Sequence, residues 1–183
     1  LVESGAIDCI WGCFSMDGRE QLYRWAGPYM TSRQVVAVNA DSGIETLADL
    51  AGKTMMVQST TKPEEIFLAG TDPRIPQLGE LLSTENRSVQ YAMLNCGYVD
   101  AIAAHETAIL QYMQDCNANF RILEEPLLVT GIGVAFALND TRGLDEQLTE
   151  TFAAMRADGT MKQIVGKYLP DPEKYLEVDA LEP

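Results

Sequence analysis

The sequence has few cysteines and no spacing that would join them in a metal site. None of Cys9, Cys13, Cys96 and Cys116 forms a Cys-x-x-Cys pair, and the chain has a single histidine. Structural zinc sites usually show such closely spaced ligands, so the sequence predicts no metal ion. Cys9 lies in an early strand-like run and is expected to be buried as a small hydrophobic residue.

The chain also lacks a long apolar stretch and a basic cluster. It contains no run of about 18 apolar residues, the length that suggests a transmembrane helix. Lys and Arg together number 13 against 27 acidic residues, which gives a formal net charge of −14. A negative field of this kind repels nucleic acid and anionic membrane surfaces. Neither is therefore expected as a partner.

The N-terminus lacks the basic and then apolar segments of a secretory signal peptide. Residues 1–4 precede a glycine and are typical of the last turn of a helix. We therefore expect the chain to be part of a longer protein. Its 183 residues suffice for one large domain or two small ones.

A strand-like run near the start leads into a polar turn that carries one arginine. Residues 7–10 are followed by small and aromatic residues and then by Arg19. This order predicts a strand whose C-terminal end opens onto a ligand, as in parallel α/β proteins. Arg19 would hold a carboxylate through the two parallel hydrogen bonds of its guanidinium group. A surface arginine in a loop is the alternative, and spacing alone favours neither.

A second copy of this pattern supports the first interpretation. The segment Gly5–Ile10 is repeated as Gly97–Ile102, and each copy has a glycine, a β-branched residue, an aspartate and a short apolar run. Two similar α/β units would form a cleft, and clefts between domains are preferred sites for small ligands. A chance similarity of six residues is the alternative.

The rest of the chain alternates between strand-like and helix-like segments. A short surface-wrapping or frayed tail is expected after Pro170, and a loop is expected at residues 70–79. Strands are predicted at residues 34–38, 54–57, 99–104, 120–123 and 130–138, and helices at 44–53, from about 63, from 83 or 84 to 95, after 106, from 144 and from 161.

Hydroxyl groups are concentrated where the strand at 54–57 passes into the next helix. Thr60 and Thr61 precede Pro63, which suits a first helical turn. Free N–H groups at a helix start, together with these hydroxyls, could receive a ligand carboxylate. Helix capping alone would explain the same residues equally well.

These segments together resemble the family 3 extracellular solute-binding proteins, which are the polar amino acid receptors of ABC importers. The similarity covers almost the whole chain apart from the tail. It is carried by five blocks in the family's order: the Gly-x-Ile-Asp segment with Arg19 and Trp25–Tyr29, Leu47–Lys53 followed by Val57 and Gln58, Gly97–Ala101, Gly131–Ala135, and Met155–Gly159 before Lys167 and Tyr168.

The resemblance implies a periplasmic-binding-protein-like α/β fold, with two α/β lobes joined by two crossover strands. The large lobe would comprise residues 1–30 and 130–183, and the small lobe residues 31–129. Family members begin with a strand, a helix and a second strand for which this chain has no counterpart, so the large lobe is expected to be incomplete. Because an open sheet edge favours pairing with another chain, we expect a homodimer or strand-swapped assembly of the fragment.

The resemblance also assigns a ligand site in the large lobe. Arg19 matches the arginine that holds the ligand α-carboxylate, and Trp11, Gly12 and Phe14 fall on the strand end that frames the ligand. The family usually has a hydroxyl five residues before this arginine, where this chain has Phe14. Ser15 would replace it if the turn is one residue shorter.

In the small lobe, Thr60 and Thr61 match the turn that meets the same carboxylate. His105 stands where the family places an aspartate for the ligand ammonium. Either Glu106 takes this role after a shift in register, or the ligand is not bound as an ordinary α-amino acid. A purely structural histidine is the alternative.

The implied function is extracytoplasmic binding of a small polar solute, above all an amino acid, by lobe closure and without a cofactor. An ABC permease or a membrane-bound sensor would be the partner, which places the protein in the periplasm or at the cell surface. Two alternatives stay open: a scaffold that has lost its ligand, and a dehydratase-like enzyme on the same fold. In the second, His105 and Glu106 would be the acid and base.

Overall fold

The structure is a computed structural model that describes residues 1–181 and, except for Cys13 and Ala180, their side chains. The chain divides into two compact units. Unit 1 comprises Leu1–Ser32 and Val129–Pro183, and unit 2 comprises Arg33–Leu128. Within the described residues, no helix is long and apolar enough to cross a membrane.

Strands and helices alternate along most of the chain. Short 3-10 helices lie at Leu47–Leu50, Glu173–Tyr175 and Val178–Ala180. The strands are β1 (Ile10–Ser15), β2 (Arg24–Asn39), β3 (Thr54–Gln58), β4 (Glu80–Thr84), β5 (Ala101–His105), β6 (Phe120–Ile122) and β7 (Leu128–Phe136), and the α-helices are α1 (Lys62–Ala69), α2 (Arg87–Asn95), α3 (Glu106–Cys116), α4 (Leu144–Ala157) and α5 (Thr160–Val165).

In unit 1, β7 lies between β1 and β2. β1 runs antiparallel to β7, with Ile10 opposite Ala135 and Ser15 opposite Ile132, and an irregularity in register falls between Trp11 and Ser15. The apolar sides of α4 and α5 pack with this sheet in one core, which contains Ala26, Val134, Phe136, Phe152, Met161 and Val165.

In unit 2, the strand order is β2-β5-β3-β4, and β6 also pairs with β2. β3 is parallel to β4 and β5, whereas β2 is antiparallel to β5. Successive residues of a strand point to opposite faces. Val36 and Val38 accordingly belong to one core cluster and Val35 and Ala37 to the other, so both faces of the sheet are covered.

This arrangement fixes the edge of unit 2 that can carry a site. The C-terminal ends of the three parallel strands are Gln58, Thr84 and His105, and they lie at the same edge of the sheet. The antiparallel neighbour begins its pairing there, with Gln34 opposite His105. Helices α1, α2 and α3 start just beyond these strand ends. Ligands in open α/β sheets bind at this kind of edge.

Two sequence-based predictions were wrong in position. The first strand runs from Ile10 to Ser15 rather than over residues 7–10. Residues 11–15, which were expected to follow the strand, therefore lie inside it. The segment at residues 80–84 is a strand, and α2 starts only at Arg87, with Asn86 as its N-cap. A short strand of mixed polarity is recognised mainly from the strand with which it pairs. For residues 80–84, that strand is β3.

Other local predictions agree with the structure in part. The helix expected at residues 44–53 is reduced to a short 3-10 turn, although Leu47 and Leu50 are fully buried as expected. The C-terminal tail, as far as the structure describes it, wraps unit 1, and its residues Tyr175 and Val178 are buried. Cys9 is a free thiol that is half-buried against the core of unit 1.

Candidate ligand-binding site

Arg19 in unit 1 is held in place by its own neighbours. It lies in the turn after β1, where its Nη1 donates a hydrogen bond to the Ser15 carbonyl oxygen at 3.3 Å. Its guanidinium carbon lies 5.0 Å from the centre of the Phe14 ring, a distance at which cation and ring attract each other. Within residues 1–181, Arg19 forms no ion pair with a carboxylate. Its positive charge is therefore available to a ligand.

An aromatic cluster supports this arginine. The Phe14 ring stacks on the Trp25 ring with centroids 5.4 Å apart, and Tyr23 meets both rings edge-on. The Trp25 indole N–H also donates to the Arg19 carbonyl oxygen at 3.2 Å. Both the side chain and the backbone of Arg19 are thus fixed by the segment from Phe14 to Trp25.

The other predicted residues of β1 have different surroundings. Ser15 is buried, and its hydroxyl lies 3.0 Å from the Thr130 hydroxyl on β7. The Gly12 carbonyl oxygen accepts a hydrogen bond from the Tyr29 hydroxyl at 2.8 Å. Trp11 is 59% exposed, and its ring lies 6.0 Å from the Phe152 ring of α4. The structure therefore groups Phe14 and Ser15 with Arg19, but places Trp11 in a separate aromatic group.

Trp11 lines an apolar groove of unit 1 with a volume of about 470 Å³. Both α4 and α5 contribute side chains to it. Among the described residues that line it, hydroxyl groups come only from Thr151 and from two tyrosines. Among the described residues, β1 has β7 as its sole strand partner. The groove and an unpaired strand edge thus occur together in unit 1.

In unit 2, the turn before α1 is fixed by backbone and carboxylate contacts. Thr60 has a φ of 62°, which is unusual for a residue other than glycine. Its backbone N–H donates to Glu64 at 2.6 Å. The Thr61 hydroxyl donates to the Gln58 carbonyl oxygen at 2.5 Å and makes no capping hydrogen bond to α1. The Thr61 hydroxyl therefore stabilises the turn and does not cap α1.

His105 ends β5 and contacts the side chain of Gln34. The Gln34 amide nitrogen lies 3.0 Å from Nδ1 and 3.2 Å from Nε2 of the imidazole. Burial, and then the positive charge of Arg87, lowers the pKa of His105 to about 4. The ring is therefore neutral near pH 7 and offers one acceptor and one donor nitrogen.

Glu106 follows directly at the start of α3. It is buried, and its Oε2 lies 3.4 Å from Arg33 Nε. A buried carboxylate normally needs such a partner, because an uncompensated charge away from water is costly. The negative charge of Glu106 is accordingly balanced inside unit 2.

Sequence reasoning missed Arg87 at this edge. Its Nε donates to the Gln58 side-chain oxygen at 3.0 Å, and its charge acts on His105. Arg87 is the first residue of α2, just beyond the end of β4. A strand prediction for residues 80–84 would have placed Arg87 beside Gln58. The helix that was predicted from residue 83 or 84 instead gave no reason to place it there.

No cluster of three or more His, Cys, Asp or Glu side chains suited to a metal ion occurs among the described residues.

Comparison with known proteins agrees with this architecture. The glutamate-binding protein GluB of Corynebacterium glutamicum is 26% identical over 188 residues, which cover 97% of this chain and 61% of the relative. The histidine-binding periplasmic protein of Salmonella typhimurium is 32% identical over 145 residues, which cover 75% of this chain and 54% of the relative. The chain thus spans less than two thirds of the length of these curated relatives.

A solved structure shows the same fold. It is the substrate-binding protein of an ABC uptake transporter from Streptococcus pneumoniae with bound histidine. The TM-score is 0.80 at 22% identity, with 93% of this chain and 71% of that chain covered. The predicted periplasmic-binding-protein-like α/β fold is confirmed.

Residues 1–171 match the family described as bacterial extracellular solute-binding proteins, family 3. The family is made up of solute-binding proteins, which are not enzymes, and it therefore favours binding over the dehydratase-like alternative. The resemblance inferred from the five sequence blocks is confirmed over nearly the whole chain. This chain belongs to family 3 of the bacterial extracellular solute-binding proteins.

Proposed function

We propose that the chain forms the ligand-binding part of a receptor for an amino acid, with unit 1 as the large lobe and unit 2 as the small lobe. The observation that carries the proposal is Arg19, a half-buried guanidinium without a carboxylate partner in the described chain. An arginine in this state suits a ligand carboxylate, which it can bind through two parallel hydrogen bonds. The relatives named for glutamate and histidine binding support this ligand class.

The predicted residues other than Trp11 and Gly12 then have a role. Arg19 binds the α-carboxylate, while Phe14 and Ser15 hold the guanidinium group in place. In unit 2, Thr60 and Thr61 contact the same carboxylate, and His105 contacts the ligand as a neutral group. Glu106 acts through its ion pair with Arg33. Closure of the lobes on the ligand, which the family resemblance implies, stays a prediction.

The receptor would work outside the cytoplasm. The family description is extracellular, and a receptor of this kind passes its ligand or its signal to a membrane protein. An ABC permease is the partner that the relatives favour, and a membrane-bound sensor is the second candidate. The association with the membrane would then come from that partner.

Thermal unfolding of the full-length protein against the twenty amino acids tests the proposal. A ligand at about 100 times its dissociation constant stabilises a protein by roughly 2.7 kcal/mol. The variant Arg19→Ala should lose this stabilisation, whereas Lys167→Ala, which removes a positive charge from an exposed position of unit 1, should keep it. Equal responses of Arg19→Ala and the unchanged protein would refute the role of Arg19.

We infer, in addition, that the free edge of β1 is an assembly surface. The edge lies beside an apolar groove and an exposed tryptophan, and unpaired strand edges readily pair with another chain. A second copy of the chain, as a homodimer or a strand-swapped assembly, is the proposed occupant for this fragment.

A further inference from the structure

Gln90 is a polar side chain inside the core of unit 2. It belongs to α2 and is fully buried. Its amide nitrogen donates to the Met56 carbonyl oxygen on β3 and to the Ala103 carbonyl oxygen on β5, both at 2.9 Å. One side chain of the helix thus connects two neighbouring strands of the sheet.

The pairing of these two strands does not depend on the glutamine alone. β5 lies between β2 and β3, and β3 lies between β5 and β4, so each has hydrogen-bonded neighbours on both sides. Within the described residues, the side-chain oxygen of Gln90 is buried without a hydrogen-bond partner, and such an acceptor is destabilising. An apolar side chain of similar size would avoid this cost. Residues that break a local rule in this way are expected near functional sites.

Gln90 acts close to the edge of unit 2 that carries the predicted residues. Met56 lies two residues before the end of β3, and Ala103 lies two residues before the end of β5. The first strand leads into the turn at residues 59–61, and the second ends at His105. Because both carbonyl oxygens bind the same amide nitrogen, Gln90 restrains the distance between the two strand ends.

A second contact attaches α2 to the same edge. Arg87, the first residue of the helix, donates from its Nε to the side-chain oxygen of Gln58 at 3.0 Å. Gln58 is the last residue of β3. Since residues three apart lie on the same side of a helix, Arg87 and Gln90 contact β3 from one side of α2. The helix therefore supports the end of this strand at two points.

We propose that Gln90 is a positioning residue of unit 2, whose amide group sets the spacing between the turn of Thr60 and Thr61 and the side chain of His105. The inference rests on the proposed function, in which these three residues contact the ligand. It adds a residue that touches no ligand itself. Binding groups held by a packed helix are placed more precisely than groups on an unsupported loop.

Nuclear magnetic resonance of the full-length protein without ligand tests the structural part of the inference. Gln90→Leu removes both hydrogen-bond donors at a similar side-chain size. The imidazole signal of His105, assigned by its loss in His105→Gln, should shift in Gln90→Leu. The Ser59 N–H donates to the Thr84 carbonyl oxygen at 2.9 Å, and it should exchange with solvent faster when the end of β3 is loosened.

Isothermal titration tests the effect on binding, with the amino acid that stabilises the full-length protein most among the twenty. Gln90→Leu should weaken this binding by roughly threefold to thirtyfold, the range for residues that act without touching a ligand. Gln90→Met also lacks the donors and should show the same loss; it takes the place of Gln90→Leu if that variant does not fold. Melting temperatures without ligand show which variants are folded.

A matched control separates positioning from a general loosening of α2. The side-chain nitrogen of Asn39 donates to the Leu94 carbonyl oxygen of α2 at 2.8 Å. Asn39 is the last residue of β2 and lies at the opposite edge of the sheet from His105. Asn39→Leu therefore removes another amide contact between a strand and α2. It should leave the His105 signal, the Ser59 exchange and the affinity unchanged.

The outcomes distinguish this inference from the proposed function. If a folded Gln90 variant keeps the His105 signal, the Ser59 exchange and the affinity of the unchanged protein, Gln90 does not position these groups. Equal losses of affinity in Gln90→Leu and Asn39→Leu would also overturn the inference. If no amino acid binds, the proposed function is refuted, and the two measurements without ligand alone decide whether Gln90 positions the strand ends.

Discussion

At the scale of single residues, each unit has an arginine that is fixed by uncharged neighbours. Arg19 rests on Phe14, and Arg87 is bound by Gln58. A side chain that is already ordered loses little conformational freedom when a ligand arrives, so more of the contact contributes to affinity. The replacement of the expected hydroxyl by Phe14 is therefore compatible with a functional Arg19, since the ring supports the cation.

His105 leads to a prediction about stability and pH. Its pKa in the folded protein is about 4, below its ordinary value near 6.5. The unfolded chain therefore binds more protons between these two values, and stability falls as pH decreases through this range. From pH 7 to pH 5, this residue should remove roughly 2 kcal/mol from the free energy of unfolding.

Urea unfolding of the unchanged protein and of His105→Gln at several pH values measures this effect. Carboxylates titrate in both proteins, so their contribution cancels in the difference between the two. The free energy of unfolding of His105→Gln, relative to that of the unchanged protein, should therefore increase as pH falls from 7 to 5. Parallel pH profiles would show that His105 is not buried as a neutral group.

At the scale of secondary structure elements, close packing of β7 against β2 shapes unit 1. A Cβ atom at Gly133 would lie 2.9 Å from the Ala26 carbonyl oxygen and 3.0 Å from the Trp25 ring. No L side chain fits there without movement of the backbone. Trp25 also binds Arg19, so this packing supports the candidate site.

We expect Gly133→Ala to destabilise the protein by about 1–3 kcal/mol, the usual cost of overpacking a filled site. Gly12→Ala is a matched control in a neighbouring strand, because a Cβ atom at Gly12 meets nothing within 4 Å. Chemical unfolding of both variants measures the difference. Equal stabilities would mean that β2 and β7 are less tightly packed than the structure indicates.

The elements also show which features the sequence could reveal. Apolar runs such as β3 and β5 were predicted within two residues of their ends, because a strand buried on both faces is continuously hydrophobic. β4 was missed because its half-exposed residues gain their strand conformation from pairing with β3. Arg19 could be found from a motif within one segment, whereas Arg87 is joined to Gln58 only through the tertiary fold.

At the scale of the whole molecule, the proposed assembly through β1 can be measured. Sedimentation velocity of this fragment at rising concentration should show a species of twice the monomer mass. Trp11→Lys places a charge at the exposed edge and should shift the equilibrium towards monomer, since lysine protects strand edges from pairing. We expect at least a tenfold weaker self-association, which corresponds to about 1.4 kcal/mol.

Tyr98→Lys is the control, because Tyr98 is a similarly exposed aromatic residue, at 67%, but belongs to unit 2. It should leave self-association unchanged. A fragment that stays monomeric at the highest concentration, or a Trp11→Lys variant that associates as strongly as the unchanged chain, would exclude β1 as the assembly surface.

The sixteen residues of β2 belong to both units, because the strand runs from Arg24 to Asn39 and the unit boundary falls after Ser32. Its final residues pair with β5 and β6 in unit 2, while its first part lies next to β7 in unit 1. A chimera that combines one unit of this chain with the counterpart from another protein should therefore keep β2 whole. A junction cut inside β2 would leave both recombined halves with a foreign strand in their sheets.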